Sequence, residues 1–199
     1  CVPVVETIFD DVKVGTDRLL GGRAGYGFRH AMGTLDLARP GVAAQAMGLA
    51  QGALELATRY TMKREQFGKP VSAFQMVQQI LANMSMKTEA ARQLIYAAAT
   101  AVDKQDHPSI NKLSAIAKCF STDVAMDVTT DAVQLFGGYG YMKDYPIEKY
   151  MRDAKITQIY EGTNQVQRLV IARNLLKEAA RFEFLDPYIP TEVQNIYEG

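Results

Sequence analysis

From Ala24 onward the apolar residues recur with a helical period. Ala43, Ala46, Met47, Ala50, Ala53, Leu54 and Ala57 fall at i, i+3, i+4 and i+7 and predict a first long helix. Val77, Ile80, Leu81, Met84, Ala91 and Ile95 predict a second, and Leu113, Ile116, Ala117, Phe120, Val124, Val128 and Leu135 a third. A fourth carries Val166, Leu169, Val170 and Leu176, and a shorter helix is expected around Ile147–Ala154. Phe67-Gly-Lys-Pro70 is expected to stop the first helix, and His107-Pro108 to separate the second from the third. Gly137-Gly138-Tyr139-Gly140 ends the third, because glycine tolerates the positive φ of a helix C-terminus. Pro40 either occupies the first turn of the first helix or kinks it, since its ring lacks an N–H and clashes one turn back. Three helices of roughly 25–35 residues joined by short loops, then a fourth, describe an all-α fold, an antiparallel four-helix bundle.

Residues 1–22 break this pattern. Pro3 to Val14 alternates loosely and is rich in β-branched residues, which predicts one or two strands with a turn at Asp10–Asp11. A lone strand pair is marginal in water, so these strands need a sheet that the chain does not contain. The first residue is Cys rather than Met, and the chain is expected to begin inside a longer protein. Residues 1–22 are thus expected to close a preceding β domain and lead into a bundle over 23–180. Residues 181–199, with Pro187 and Pro190, are expected to form an irregular extension.

Composition narrows the function classes. Lys plus Arg (22) balances Asp plus Glu (22), which removes the electrostatic ground for a nucleic acid or an anionic membrane as partner. Cys1 and Cys119 make no disulfide framework and fit a reducing compartment, with Cys119 a small buried hydrophobe. His30 and His107 are too far apart for metal-ligand spacing, so no metal is expected. No apolar run nears the roughly 18 residues of a membrane span, and no targeting segment is visible. The compartments in view are cytoplasm or mitochondrial matrix.

Four strings could carry chemistry. In Tyr160-Glu161-Gly162-Thr163-Asn164-Gln165 a carboxylate stands beside a flexible break at a helix start, where it can reach into a cleft. Asn164 and Gln167 resemble a capping box, and a plain capping turn explains the string equally. Gln134-Leu-Phe-Gly137-Gly138-Tyr-Gly140 can let a phosphate approach bare backbone, or simply cap a helix. Arg64-Glu-Gln66-Phe67-Gly-Lys-Pro70, followed by Phe74-Gln75, sets an arginine beside aromatics, which suits a pyrophosphate and a flat ring. Its alternative is a helix C-terminus with cations complementing the dipole. Asp36 and Arg39 share a helix face at i, i+3, as a binding pair or a surface ion pair.

Taken in this order, and with Met151-Arg-Asp-Ala-Lys155, these strings resemble the C-terminal domain of the acyl-CoA dehydrogenase family over about residues 3–180. The resemblance implies FAD, a homotetramer, a helical C-terminal bundle, and an all-helical and a β domain ahead of it. It implies α,β-dehydrogenation of an acyl-CoA to the trans-2-enoyl-CoA, with electron-transfer flavoprotein as acceptor. Glu161 matches the base that removes the α-proton. Some relatives carry the base just before the arginine of Asp-x-x-Arg, and that position here is Ala38, which cannot serve. Asp36, Arg39, Tyr160, Gly162 and Arg173 match substrate positions. Arg64, Gln66, Phe74 and Gln75 match positions on a neighbouring subunit's FAD, and Gln134, Gly137 and Gly138 its adenosine side. Thr163 and Gln165 match the diphosphate region. The alternatives are a non-catalytic bundle for oligomerisation and an acyl-CoA oxidase-like relative.

Overall fold

The computed structural model describes residues 5–180. Over these the chain is helical: α1 (Gly27–Lys63), α2 (Gln75–Asp103), α3 (His107–Phe136), α4 (Gly138–Tyr141), α5 (Ile147–Thr157) and α6 (Asn164–Ala179). The strands β1 (Glu65–Gln66) and β2 (Lys69–Pro70) pair antiparallel between α1 and α2. Short connections reverse the chain between the long helices. α3 is the hub: α1 and α2 pack against one side of it, α5 and α6 against another. The bundle read from the apolar period is the bundle observed.

The seam between α1 and its neighbours is built of small residues. Ala43, Ala46, Ala50, Ala53 and Ala57 are fully buried, three and four apart, and so form one ridge. Met84, Ala91, Ile95 and Ala98 answer from α2, and Val124, Ala125, Val128, Ala132 and Phe136 from α3. Alanine lets helix backbones approach closely, and Gly52 leaves room for the Tyr150 ring of α5, which a Cβ would meet at 3.0 Å. Pro40 lies in the interior of α1, buried, so the Asp36 carbonyl lacks its intrahelical donor there.

Three boundaries differ from the sequence reading. α1 ends at Lys63, and Phe67-Gly68 forms the tip of a hairpin instead of a helix stop. Phe67 (φ +52°) and Gly68 (φ +75°) are both left-handed, which is the two-residue turn that matches strand twist. His107-Pro108 begins α3 rather than dividing two helices, because a proline in the first turn gives up no hydrogen bond. The strands predicted near the N-terminus do not form among residues 5–22, which hold extended backbone and the 3-10 turns Thr16–Arg18 and Leu20–Gly22. Val5, Ile8, Phe9, Val12 and Val14 are exposed there. The expected extension over 181–199 lies outside the described residues.

Candidate active site

The turn between α5 and α6 carries Glu161 in an unusual conformation. Glu161 (φ +57°) and Gly162 (φ +86°) are consecutive left-handed residues, and a non-glycine residue there costs about 1 kcal/mol or more. The surrounding bonds enforce it. Asn164 N–H donates to the Gln158 carbonyl at 3.0 Å and closes the loop. The buried Gln167 amide donates to the carbonyls of Glu161 (3.2 Å) and Gly162 (3.0 Å). A Cβ on Gly162 would meet that amide nitrogen at 2.5 Å, so position 162 requires glycine for both space and φ. The helix cap is Thr163, whose Oγ1 accepts from the Val166 N–H at 3.3 Å. This corrects the capping box read at Asn164 and Gln167: Asn164 is the first helical residue and its amide turns inward.

The Glu161 carboxyl is half-buried. Its Oε2 is shut off from solvent and meets no hydrogen-bond donor among the described residues. Its backbone N–H likewise meets no acceptor among them. Tyr160, beside it, donates its hydroxyl to Gln45 Oε1 of α1 at 2.7 Å. Burial, and then the charge of Glu161, push the Tyr160 phenol up.

Beneath the turn lies a buried polar cluster that the apolar period did not disclose. Lys118, in the middle of α3, is fully buried; its Nζ donates to the Gly162 carbonyl (3.0 Å) and to Asn164 Oδ1 (2.9 Å). The Asn164 amide nitrogen donates to Thr122 Oγ1 (2.8 Å), Asp123 Oδ1 (2.7 Å) and the Cys119 carbonyl (3.2 Å). Arg168 of α6 pairs with Asp123. Burial pushes the Lys118 ammonium down to about 8, against the opposing pull of Cys119, Asp123 and Glu161. Cys119 is a buried thiol pushed up by burial, in keeping with the small hydrophobe expected of it.

Asp36 and Arg39 meet as an ion pair at 2.6 Å. It is not a surface pair, for the Arg39 side chain is 5 % exposed and its Nε is unpartnered among the described residues. Asp36 also accepts from Asn111 of α3 at 2.9 Å, and Asn111 accepts from Asn174 of α6 at 2.7 Å. Arg39 and Glu161 both act electrostatically on Lys118, so the pair and the turn belong to one neighbourhood. Arg173 stands apart on the exposed side of α6.

The remaining positions fall into two grooves. Arg64, Gln66, Gln134, Gly137 and Gly138 line a cavity of about 550 Å³ with Tyr60 and Tyr139. Arg64 lies over the Tyr139 ring at 5.8 Å, and Tyr60 stacks on Phe136 at 4.1 Å. Gly137 (φ +62°) ends α3 with open space where a side chain would be, as does Gly138. Gly140 serves packing instead: a Cβ there would strike the Val133 carbonyl at 2.5 Å. Phe74 sits edge-on to Phe67, 6.2 Å away, and Gln75 opens α2 exposed; neither lines the cavity. Thr163 and Gln165 line a separate, more polar groove of about 420 Å³ with Asp123 and Arg168. The two grooves share no residue. A guanidinium, two amides, bare glycine backbone and an aromatic wall suit a ligand with phosphates and a flat ring. Among the described residues no helix is long and apolar enough to cross a membrane.

Comparison with known proteins reaches the same region of the chain. Residues 25–176 match the family described as acyl-CoA dehydrogenase, C-terminal domain. A probable acyl-CoA dehydrogenase of Mycobacterium leprae (strain TN), fadE25, is 54% identical over 175 residues, covering 88% of this chain and 44% of that protein. The solved structure of butyryl-CoA dehydrogenase from Megasphaera elsdenii superposes with a TM-score of 0.75 at 55% identity, over 78% of this chain and 40% of its own. A chain in a structure of the electron transferring flavoprotein of Acidaminococcus fermentans also has a TM-score of 0.75, at 59% identity, over 78% of this chain and 40% of that one. The chain thus spans less than half the length of the relatives it matches.

Proposed function

Because the chain belongs to the acyl-CoA dehydrogenase family, we propose that it is the bundle domain of a flavoenzyme that oxidises an acyl-CoA thioester to the trans-2-enoyl-CoA, with Glu161 as base. The supporting observation is the Glu161 carboxyl itself. It is held on a strained turn, and its Oε2 is shielded from water and unengaged by any donor among the described residues. A carboxylate oxygen that no donor occupies is available to take a proton from a carbon acid seated against it.

Glu161 takes the α-proton of the thioester. The acidity of that proton rises when donors meet the thioester oxygen as enolate charge develops, and the Glu161 N–H is free to be one of them. The chemistry that FAD would supply is acceptance of the β-hydrogen together with its electron pair, as a hydride. Asp36 and Tyr160 line the approach, with Arg39 behind Asp36 fixing its carboxylate. Arg64, Gln66, Gln134, Gly137 and Gly138 would hold one end of FAD, and Thr163 and Gln165 its diphosphate region. That the two sets occupy separate grooves is in keeping with a cofactor shared between subunits of the proposed homotetramer. Residues 1–22 would then close the β domain that covers the flavin, and electron-transfer flavoprotein would reoxidise it.

The test is Glu161→Gln in the full-length protein, assayed with a panel of acyl-CoA chain lengths and an artificial electron acceptor. Turnover is expected to fall by roughly 10³-fold or more with FAD content unchanged. Near-wild-type turnover overturns the assignment.

A further inference from the structure

The Glu161 turn is strained, and the backbone bond that closes it, from Asn164 N–H to the Gln158 carbonyl, does not hold the carbonyls of Glu161 and Gly162. Two left-handed residues in succession would relax toward other turns unless their carbonyls were held. Both carbonyls point inward to buried donors, and the Gly162 carbonyl takes two of them: Gln167 Nε2 from α6 and Lys118 Nζ from α3. Gln167 moves with the turn, since it lies on the helix that the turn begins. Lys118 does not: it belongs to the hub helix and has no solvent-accessible surface. It is the fixed point against which the turn is registered.

A buried lysine is a costly way to make one hydrogen bond. An ammonium withdrawn from water needs good compensation, and a methionine of similar length would pack without that penalty. What the ammonium adds is several donors at the end of a long reach across helices. Every charged or titratable group facing it is accounted for: Cys119 and Asp123 on its own helix, Arg39 from α1, and Glu161 from the turn. Asp123 is neutralised by Arg168, and Arg39 by Asp36. Glu161 is the carboxylate among them that no cation or donor among the described residues engages directly.

We propose that Lys118 is a positioning residue for Glu161: by binding the Gly162 carbonyl and Asn164 Oδ1 from the hub helix, it holds the left-handed turn that presents the carboxyl. This inference rests on the reading of Glu161 as base.

The experiment compares full-length wild type with Lys118→Met, Lys118→Gln and Glu161→Gln, measuring FAD content, melting temperature, kcat and KM. Lys118→Met should lower kcat by about 10- to 100-fold, with KM and FAD content little changed. Lys118→Gln keeps a donor at the turn and should recover part of that kcat; it decides the matter should Lys118→Met fail to fold. A kcat that stays at the wild-type value, or that falls only together with melting temperature, overturns the proposal. Should Glu161→Gln retain turnover, the base assignment falls and this inference with it. Should Glu161→Gln be dead while both Lys118 variants behave as wild type, the Lys118 role alone falls.

Discussion

The two sides of α3 are built on opposite principles. Toward α1 and α2 its buried middle presents Ala117, Val124, Ala125, Val128 and Ala132, closed by alanines and short aliphatics, with the directional bonds on that side, Asn111 to Asp36 and Lys87 to Asp127, set at its margins. Toward α6 it presents Lys118, Thr122 and Asp123, joined to one residue, Asn164, and to Arg168. The apolar side distributes its stability over many weak contacts, so single changes are partly absorbed. The polar side concentrates it in a few bonds, so each residue matters, and the geometry it sets is unique rather than merely compact. The carboxyl proposed to react stands on the second side. A site that must hold a side chain to a fraction of an ångström is better served by few directional bonds than by many tolerant ones.

The difference can be broken at its strongest point first. Asn164→Leu strips partners from Lys118, Thr122 and Asp123 at once and leaves a buried charge uncompensated. A loss of about 3–5 kcal/mol is expected, read by denaturant titration, with α6 amides losing hydrogen-exchange protection before those of α1. A loss below about 1 kcal/mol would mean that α6 docks on apolar contacts after all.

The pH dependence comes next. Folded Lys118 releases its proton at about 8, whereas the unfolded chain holds it until its ordinary 10.5. Between these values the unfolded chain binds the extra proton, so this group makes unfolding harder as pH rises, by about 1.4 kcal/mol per pH unit. Subtracting Lys118→Met stability from that of wild type at pH 7.5, 8.5 and 9.5 isolates the slope. A flat or falling difference contradicts it.

On the apolar side, Ala53→Leu inserts volume where α1 meets its neighbours and should cost about 1–3 kcal/mol, while kcat of the folded enzyme stays put. The smallest effects refine the boundary between the two sides. Thr129 is buried, but its hydroxyl donates to the Ala125 carbonyl of its own helix at 2.6 Å. Thr129→Val should therefore be neutral within about 0.5 kcal/mol, whereas Thr122→Val, which cuts a bond to Asn164, should cost about 1–3 kcal/mol. Equal melting shifts for the two would erase the distinction.

The apolar side was legible in the chain and the polar side was not, for a physical reason. Alanines at three- and four-residue spacing can only be a helix seam, so α1, α2 and α3 follow from periodicity. A lysine in a helix is ordinarily a solvated side chain, and nothing local marks Lys118 as buried. The trace that remains is a stripe of Ser114, Lys118, Ser121 and Thr122, all fully buried, which reads as a polar face until α6 covers it. The residues near Val5–Val14 failed in the opposite sense. Their β pattern is real, but a strand is a property of a pair. Glu161, Gly162, Gly137 and Arg64 stand in motifs that the sequence displays, while Tyr60 and the Asn111–Asn174 link depend on tertiary contact and leave no spacing to detect.

The burial of Lys118 also has a chemical consequence. An amine that titrates at about 8 is neutral in about a tenth of molecules at pH 7, and a neutral amine attacks thioesters. On the surface, such a lysine would be acylated by the substrate class proposed for this protein. Lys118 exposes no atom to solvent, so the environment that makes its nitrogen reactive also keeps the acylating agent away from it.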